Sequence, residues 1–234
     1  MEKYDLVINS YIEAAKAFSR CTYQCVYLYD CMEKKMIFIS KNIKQICGLE
    51  ANEIRLSNMD YLQDYILMTD LYKIKEAIFS GLSFIESLPE DERLDYTICC
   101  DFHLKNKHNY RMFRHIITPL CLDERSQIRA IIGTISFSSN NTFGSVKIKK
   151  PFEKDYFEFD FNRKRWLKKS EIILTEMEIE VLGLSTQGYT MTDIAKILCR
   201  SIDTVKAYKR NLFKKMGVNN ITEAIVYVQN HKIL

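Results

Sequence analysis

Residues 174–228 read LTEMEIEVLGLSTQGYTMTDIAKILCRSIDTVKAYKRNLFKKMGVNNITEAIVYV, and their local signals are helical. Thr175 followed three residues later by Glu178 is a capping box, in which hydroxyl and carboxylate each take a backbone N–H that the first turn of a helix leaves unpaired. Met177, Val181 and Leu184 then recur at helical spacing, and Gly188 stands where a chain turns out of a helix. Thr190 predicts the start of a second helix carrying Ile194, Ala195 and Leu198. Ser201 predicts a third, which reaches Met216 and is closed by Gly217. Asn220 with Glu223 starts a fourth, in which Ile221, Ala224, Ile225 and Val228 fall at helical intervals. Four short helices with tight joints make a helix-turn-helix bundle.

The charges say what such a bundle would meet. Residues 196–215 hold Lys196, Arg200, Lys206, Lys209, Arg210, Lys214 and Lys215 against the single acid Asp203. A solvated helix face ordinarily mixes signs, so this one-sided block points to a phosphate-bearing partner. At about 100° per residue, Val205, Tyr208, Leu212 and Met216 fall on one side of the third helix, and Lys206, Ala207, Arg210 and Lys214 on the other. The first side packs. The second is basic, short-chained at Ala207, and shaped for a major groove, where Lys or Arg donates to guanine and Ala touches a thymine methyl. Lys206, Ala207 and Arg210 are therefore the candidate base readers. Thr190, Thr192, Thr204, Tyr208, Lys209 and Lys214 are the candidate phosphate contacts.

With these residues in view, the stretch resembles the LuxR-type (GerE-like) DNA-binding domain. Leu174, Thr175, Glu178, Val181, Gly188, Ile194, Ala195, Thr204, Val205, Lys206 and Gly217 are among the matching positions. Met177, Tyr208 and Lys209 stand where the family usually has an arginine, a histidine and an apolar residue. The resemblance implies a bacterial transcriptional regulator, with double-stranded promoter DNA and RNA polymerase as partners. It also implies a homodimer paired through the fourth helix, which makes Ala224 and Val228 the candidate dimerisation residues.

Upstream, residues 138–150 (SSNNTFGSVKIKK) are the most polar and turn-rich run of the chain, and Pro151 follows. That pattern marks a boundary. Tyr156–Phe161 then alternates aromatic and acidic residues before the polar turn Asn162–Arg165, which reads as a short hairpin. The hairpin is either a coupler between domains, an extra strand on the first domain, or a partly ordered linker. The layout expected is 1–138, 139–172 as linker, and 173–234.

The first 138 residues change period repeatedly. Val7, Tyr11, Ala14 and Phe18 predict one face of a helix over 3–20. Segments 24–30 and 36–40 read as a hairpin, followed by short helical pieces at Lys41–Gly48 and Ala51–Ile54. Thr69 or Asp70 suits the N-cap of a helix running to about Ser80, with Leu71, Ile74 and Ile78 inward and Gly81 beyond its end. Strand-like runs at 93–104, 109–121 and 127–138 complete an α+β module. Over about residues 22–138 this module resembles the PAS family, most clearly in MIFISKNIKQICGLEANEI, ILMTDLYKIKEAI and the last hairpin with Gly133 and Thr134. The glycines usual in the family's hairpin turns are replaced by Lys105–Asn109 and Asp123–Ser126. The resemblance implies a five-stranded antiparallel sheet with helices across one face, serving a sensory or dimerising role. The flavin-adduct Asn-Cys-Arg motif does not occur, and residues 70–81 contain no histidine to hold a haem; His103, His108 and His115 lie on or between the late strands. No cofactor is called for, and both an organic small-molecule ligand and an empty module stay open.

Composition bounds the rest. The 234 residues are 47 % hydrophobic and 27 % charged, as in a folded globular chain of two small domains. Residues 1–146 carry 17 Lys+Arg against 19 Asp+Glu, and residues 147–234 carry 17 against 11, so the basic character lies in the last third. Glycine and proline are scarce, and no phosphate-cradling glycine loop, serine elbow or HExxH motif occurs, which argues against an enzyme. Eight cysteines without zinc spacing read as reduced, buried thiols and not as a metal site. No run of about 18 apolar residues and no signal peptide is present, so the chain is expected in the cytoplasm and off the membrane. Two rivals stand beside the regulator: a sigma-factor-like polymerase subunit, and an interaction adaptor with a vestigial DNA-binding domain.

Overall fold

The computed structural model describes residues 2–57, 64–106, 109–138 and 143–231 and divides into two compact units, Met1–Lys169 and Ser170–Leu234. Among the described residues no helix is long and apolar enough to cross a membrane.

The first unit begins with helix α1 (Glu2–Cys21), strands β1 (Cys25–Asp30) and β2 (Lys35–Ile39), and helices α2 (Ile43–Cys47), α3 (Ala51–Ser57) and α4 (Met68–Glu86). A 3-10 turn (Glu90–Asp95) leads into β3 (Thr97–Asn106), β4 (Asn109–Leu122) and β5 (Ile128–Phe137). The strands β6 (Lys147–Lys149), β7 (Asp155–Asp160) and β8 (Arg165–Ser170) follow. All eight strands form one sheet in the order β2-β1-β5-β4-β3-β6-β7-β8. The first five are the antiparallel sheet that the PAS resemblance implies.

Both faces of the sheet are covered at β1, which is why that strand is buried almost throughout, whereas β4 and β5 alternate buried with half-buried positions. In β1, Cys25 and Tyr27 join the large core that includes Ile43, Ile46 and Ile54, while Val26 and Leu28 meet Ala15 of α1 on the other face. The stripe of α1 that meets the sheet is not Val7, Tyr11, Ala14 and Phe18. Ile8 and Ala15 are buried and Tyr11 and Ile12 pack beside Val26, whereas Val7 and Phe18 are 40 % and 49 % exposed. Two apolar stripes run along this helix, and only the sheet decides between them.

Gly81 also departs from expectation. It lies inside α4 and caps nothing, because a Cβ there would come within 2.8 Å of Ile98 Cδ1 and 3.2 Å of Trp166 Cζ2. The glycine admits strands beneath the helix. Asp70, one of two expected caps, is instead buried and accepts hydrogen bonds from the backbone N–H of His103 and from its Nδ1, both at 2.8 Å.

The hairpin anticipated at 156–172 exists as β7 and β8, but it extends the sheet and is no linker. Val146, Ile148 and Phe159 are buried in the main core, with Phe157 and Trp166 packed against it. Aspartates organise three of the hairpin turns, among them the glycine-free turn at Asp123–Ser126. Asp30, Asp123 and Asp160 each accept two backbone N–H bonds within their turns, as short polar side chains at turn starts do. Lys34, Ser126 and Lys164 then take positive φ.

The second unit contains α5 (Glu176–Thr186), α6 (Met191–Ile197), α7 (Ile202–Met216) and α8 (Ile221–His231). Thr175 with Glu178 and Thr190 with Asp193 close full capping boxes. The Ser201 hydroxyl accepts the Thr204 N–H, and Gly217 ends α7 in the left-handed conformation at φ 67°. Its core lies in two clusters, one around Val181, Ile194, Ala195 and Val205, the other around Leu174, Leu182, Leu212, Met216 and Ala224.

Candidate functional site

Helix α7 is fixed along one side and free along the other. Val205, Leu212 and Met216 are buried, and Tyr208 packs half-buried against the Val181 cluster. Lys206, Arg210 and Lys214, four residues apart, are exposed, with Ala207 half-buried beside them. These three cations form one row on the solvent face. The nearest acid is the exposed Asp203, whose carboxylate lies 3.5 Å from the Lys206 ammonium, an exposed pair of little strength.

The other candidates divide. Thr192 is exposed, and Lys209 is half-buried, its ammonium 5.5 Å from the centre of the Phe213 ring. The Thr190 hydroxyl donates to Asp193 at 2.6 Å while accepting that residue's N–H, so its place is in the cap of α6. Thr204 shares a hydrogen bond of 2.8 Å with Ser201 at the start of α7.

Two readings change. Lys215, counted in the basic block, donates to Glu178 at 2.6 Å and to the Ile173 carbonyl at 3.1 Å, tying α7 to the start of α5. Burial opposes the charge of Glu178, but bonds from Lys215 and from the backbone and hydroxyl of Thr175 outweigh it and hold the carboxyl below its usual range. Ala224, expected at a dimer face, is wholly buried in the core of its own unit; a methyl group so enclosed is unavailable to a second copy. The side chain of Val228, the other dimerisation candidate, lies outside the described residues.

The first unit contains a second candidate site that sequence reasoning missed. Its sheet and α4 border a cavity of about 580 Å³, lined by Tyr27, Ile74, Ile78, Leu82, Phe102 and His115 among others. That volume falls in the ~300–1,000 Å³ range of small-molecule sites. The Tyr27 hydroxyl lies 2.6 Å from His115 Nε2, and Phe102 meets the imidazole edge-on at 5.7 Å. His115 is buried, and burial pushes its pKa down to about 4, so the ring is neutral. No signal in the chain joins Tyr27 to a residue 88 positions away. Of the other two histidines singled out, His103 is engaged by Asp70 and His108 lies outside the described residues. Among the described residues no cluster of His, Cys, Asp or Glu is arranged to hold a metal ion.

Comparison with known proteins separates the units. Residues 172–228 match the family described as bacterial regulatory proteins, luxR family. The response regulator protein VraR of Staphylococcus aureus and that of Staphylococcus epidermidis are each 35 % identical over 74 residues, covering 31 % of this chain and 35 % of theirs. The chain thus spans about a third of the length of these curated relatives. Among solved structures, a phage VqmA–DPO complex covers 98 % of this chain and 89 % of its own at 17 % identity and a TM-score of 0.38. The N-terminal domain of a diguanylate cyclase with PAS/PAC sensor from Marinobacter aquaeolei covers 49 % and 94 % at 10 % identity and a TM-score of 0.39. The strand pattern of the first unit and the family match of the second agree with the two resemblances read from the sequence. The chain joins a PAS-like α+β unit to a helix-turn-helix bundle whose residues 172–228 match the luxR family of bacterial regulatory proteins.

Proposed function

We propose that this protein is a bacterial transcriptional regulator that places α7 in the major groove of promoter DNA under the control of its PAS-like unit. The observation that carries this reading is the exposed row Lys206, Arg210 and Lys214 on a helix whose opposite side is locked into a luxR-family core. Lys206, Ala207 and Arg210 read base edges, and Thr190, Thr192, Thr204, Tyr208, Lys209 and Lys214 contact phosphates. Two copies bind two half-sites, with RNA polymerase as the downstream partner and a small molecule as the input. The protein has no catalytic role in this scheme.

Sequencing the genomic fragments retained by the purified full-length chain tests the proposal. A shared motif with two-fold symmetry is expected. Retention of fragments without any shared sequence would leave only non-specific attraction of a basic surface and would remove the regulator reading.

A further inference from the structure

We infer that Asp203 is a specificity-determining residue of α7, whose carboxylate accepts a hydrogen bond from the exocyclic N4 amino group of a cytosine in the major groove. The inference rests on the reading of α7 as a DNA-recognition helix and adds to it an acid that the basic row does not account for.

Asp203 stands where an acid is least welcome. At about 100° per residue, Asp203, Arg210 and Lys214 fall within about 20° of one line along α7, and the buried Leu212 falls about 180° from it. The carboxylate is thus in the middle of the face turned away from the core, and its side chain is 92 % exposed. It is also the single acid of residues 196–215, among seven cations. A surface that only attracts phosphates gains from each cation and loses from each anion placed there. General attraction to DNA therefore leaves Asp203 unexplained.

Local structure does not claim the side chain either. The Ser201 hydroxyl accepts the Thr204 N–H and so caps α7 without it. An acid in the first turn does favour a helix N-terminus, but position 202 offers the same benefit, and there Ile202 stands 40 % exposed. Lys206 is the ionic partner of Asp203 at 3.5 Å. With side chains 64 % and 92 % exposed, that pair is weak enough for the carboxylate to exchange the ammonium for a base.

The chemistry of the groove selects the base. Asp203 is the second residue of α7, at the end that an inserted recognition helix turns to base edges. A carboxylate only accepts hydrogen bonds. Guanine and thymine present acceptors in the major groove and repel it. Adenine has the N6 amino donor, but beside the N7 acceptor; cytosine presents the N4 amino donor with no acceptor on its own edge. Asp203 thus favours cytosine and penalises the other three bases, so that what the acid loses in general attraction it returns as discrimination.

Selection from randomised duplexes by the full-length chain, by Asp203→Ala and by Asp203→Asn, followed by sequencing, tests this. The unaltered chain should select a motif with a fixed cytosine in each half-site, whose replacement weakens binding about tenfold in fluorescence anisotropy, the usual scale of one mismatched base pair. Asp203→Ala should keep the rest of the motif, accept any base at that position, and bind unrelated duplex about threefold more tightly, as the loss of one exposed anion implies. Asp203→Asn, whose amide both donates and accepts, should change the preference there to adenine. Both substitutions fall at an exposed position and leave the core untouched, which circular dichroism checks. Unchanged preferences at every position in both variants, or an equal loss of affinity on all sequences, would overturn the inference and reduce Asp203 to an aid to the helix end. Either outcome would leave the regulator reading standing, whereas failure of the unaltered chain to select any motif would remove that reading and this inference together.

Discussion

At the residue scale, one absent side chain organises the interior of the first unit. Tyr27 crosses its paired neighbour Gly133 to reach His115 on β4. Any Cβ at position 133 would stand among the ring atoms, 2.1 Å from Cζ and 2.4 Å from the hydroxyl oxygen. Tyr27 is 1 % exposed, so its ring has nowhere to retreat without moving the core. Gly133→Ala should therefore destabilise the first unit by about 1–3 kcal/mol, the usual cost of overpacking. It should also break the Tyr27–His115 hydrogen bond. Urea denaturation followed by Trp166 fluorescence checks the first effect, and the imidazole nitrogen chemical shifts of His115 check the second. An unchanged urea midpoint with unchanged shifts would mean that the tyrosine does not depend on the glycine. Gly133 itself is visible in the sequence; its purpose is not, because that depends on two strands whose pairing brings Tyr27 and His115 together across 88 positions.

At the element scale, two cations of α7 five residues apart belong to different tasks. Arg210 is exposed, and Lys215 is bonded to Glu178, whose side chain is 4 % exposed. Arg210→Ala should weaken specific DNA binding by about 1–3 kcal/mol and relax one base preference, with little change in stability. Lys215→Ala should do the reverse. It leaves a buried carboxylate without its cation and should cost about 1–2 kcal/mol, less than a fully buried pair because the lysine is 38 % exposed. Fluorescence anisotropy on the selected operator and hydrogen exchange at Val205 and Ile194 separate the two. If Lys215→Ala lost affinity as Arg210→Ala does while keeping its exchange protection, both lysine and arginine would belong to the DNA surface. The helices of this unit were legible because Thr175, Thr190, Ser201 and Gly217 act within one turn of where they stand. The division of labour among the basic residues was not, since Lys215 finds Glu178 only when α5 and α7 pack. The same limit applies to α1, whose two apolar stripes are equivalent until the sheet covers one, and to Ala224, whose helical spacing does not reveal which side meets the core.

At the scale of the whole molecule, the first compact unit ends at Lys169 and not at residue 138. Polar composition at 138–150 marks a connection, but the strands after it return to pair with β3, a long-range event that local composition does not encode. These strands supply more than an edge. Val146, Ile148 and Phe159 are buried in the main core. Trp166, the chain's single tryptophan, packs against Phe84 and Phe159 and donates to the Ser80 hydroxyl at 3.0 Å. Removing three buried side chains at roughly 1.5–3 kcal/mol each forfeits about 5 kcal/mol or more, comparable to the whole net stability of a marginal domain. It would also bare Ile98, the floor beneath Gly81, and leave β3 with an open edge. A fragment of residues 1–169 should accordingly unfold in urea as one cooperative transition, seen alike by Trp166 fluorescence and far-ultraviolet circular dichroism. A fragment of residues 1–138 should show no sharp transition, bind a hydrophobic dye and aggregate through its uncovered strand. If 1–138 proved as stable and as cooperative as 1–169, β6–β8 would be an ornament on a self-sufficient five-stranded sheet, and the boundary read from composition would be the physical one.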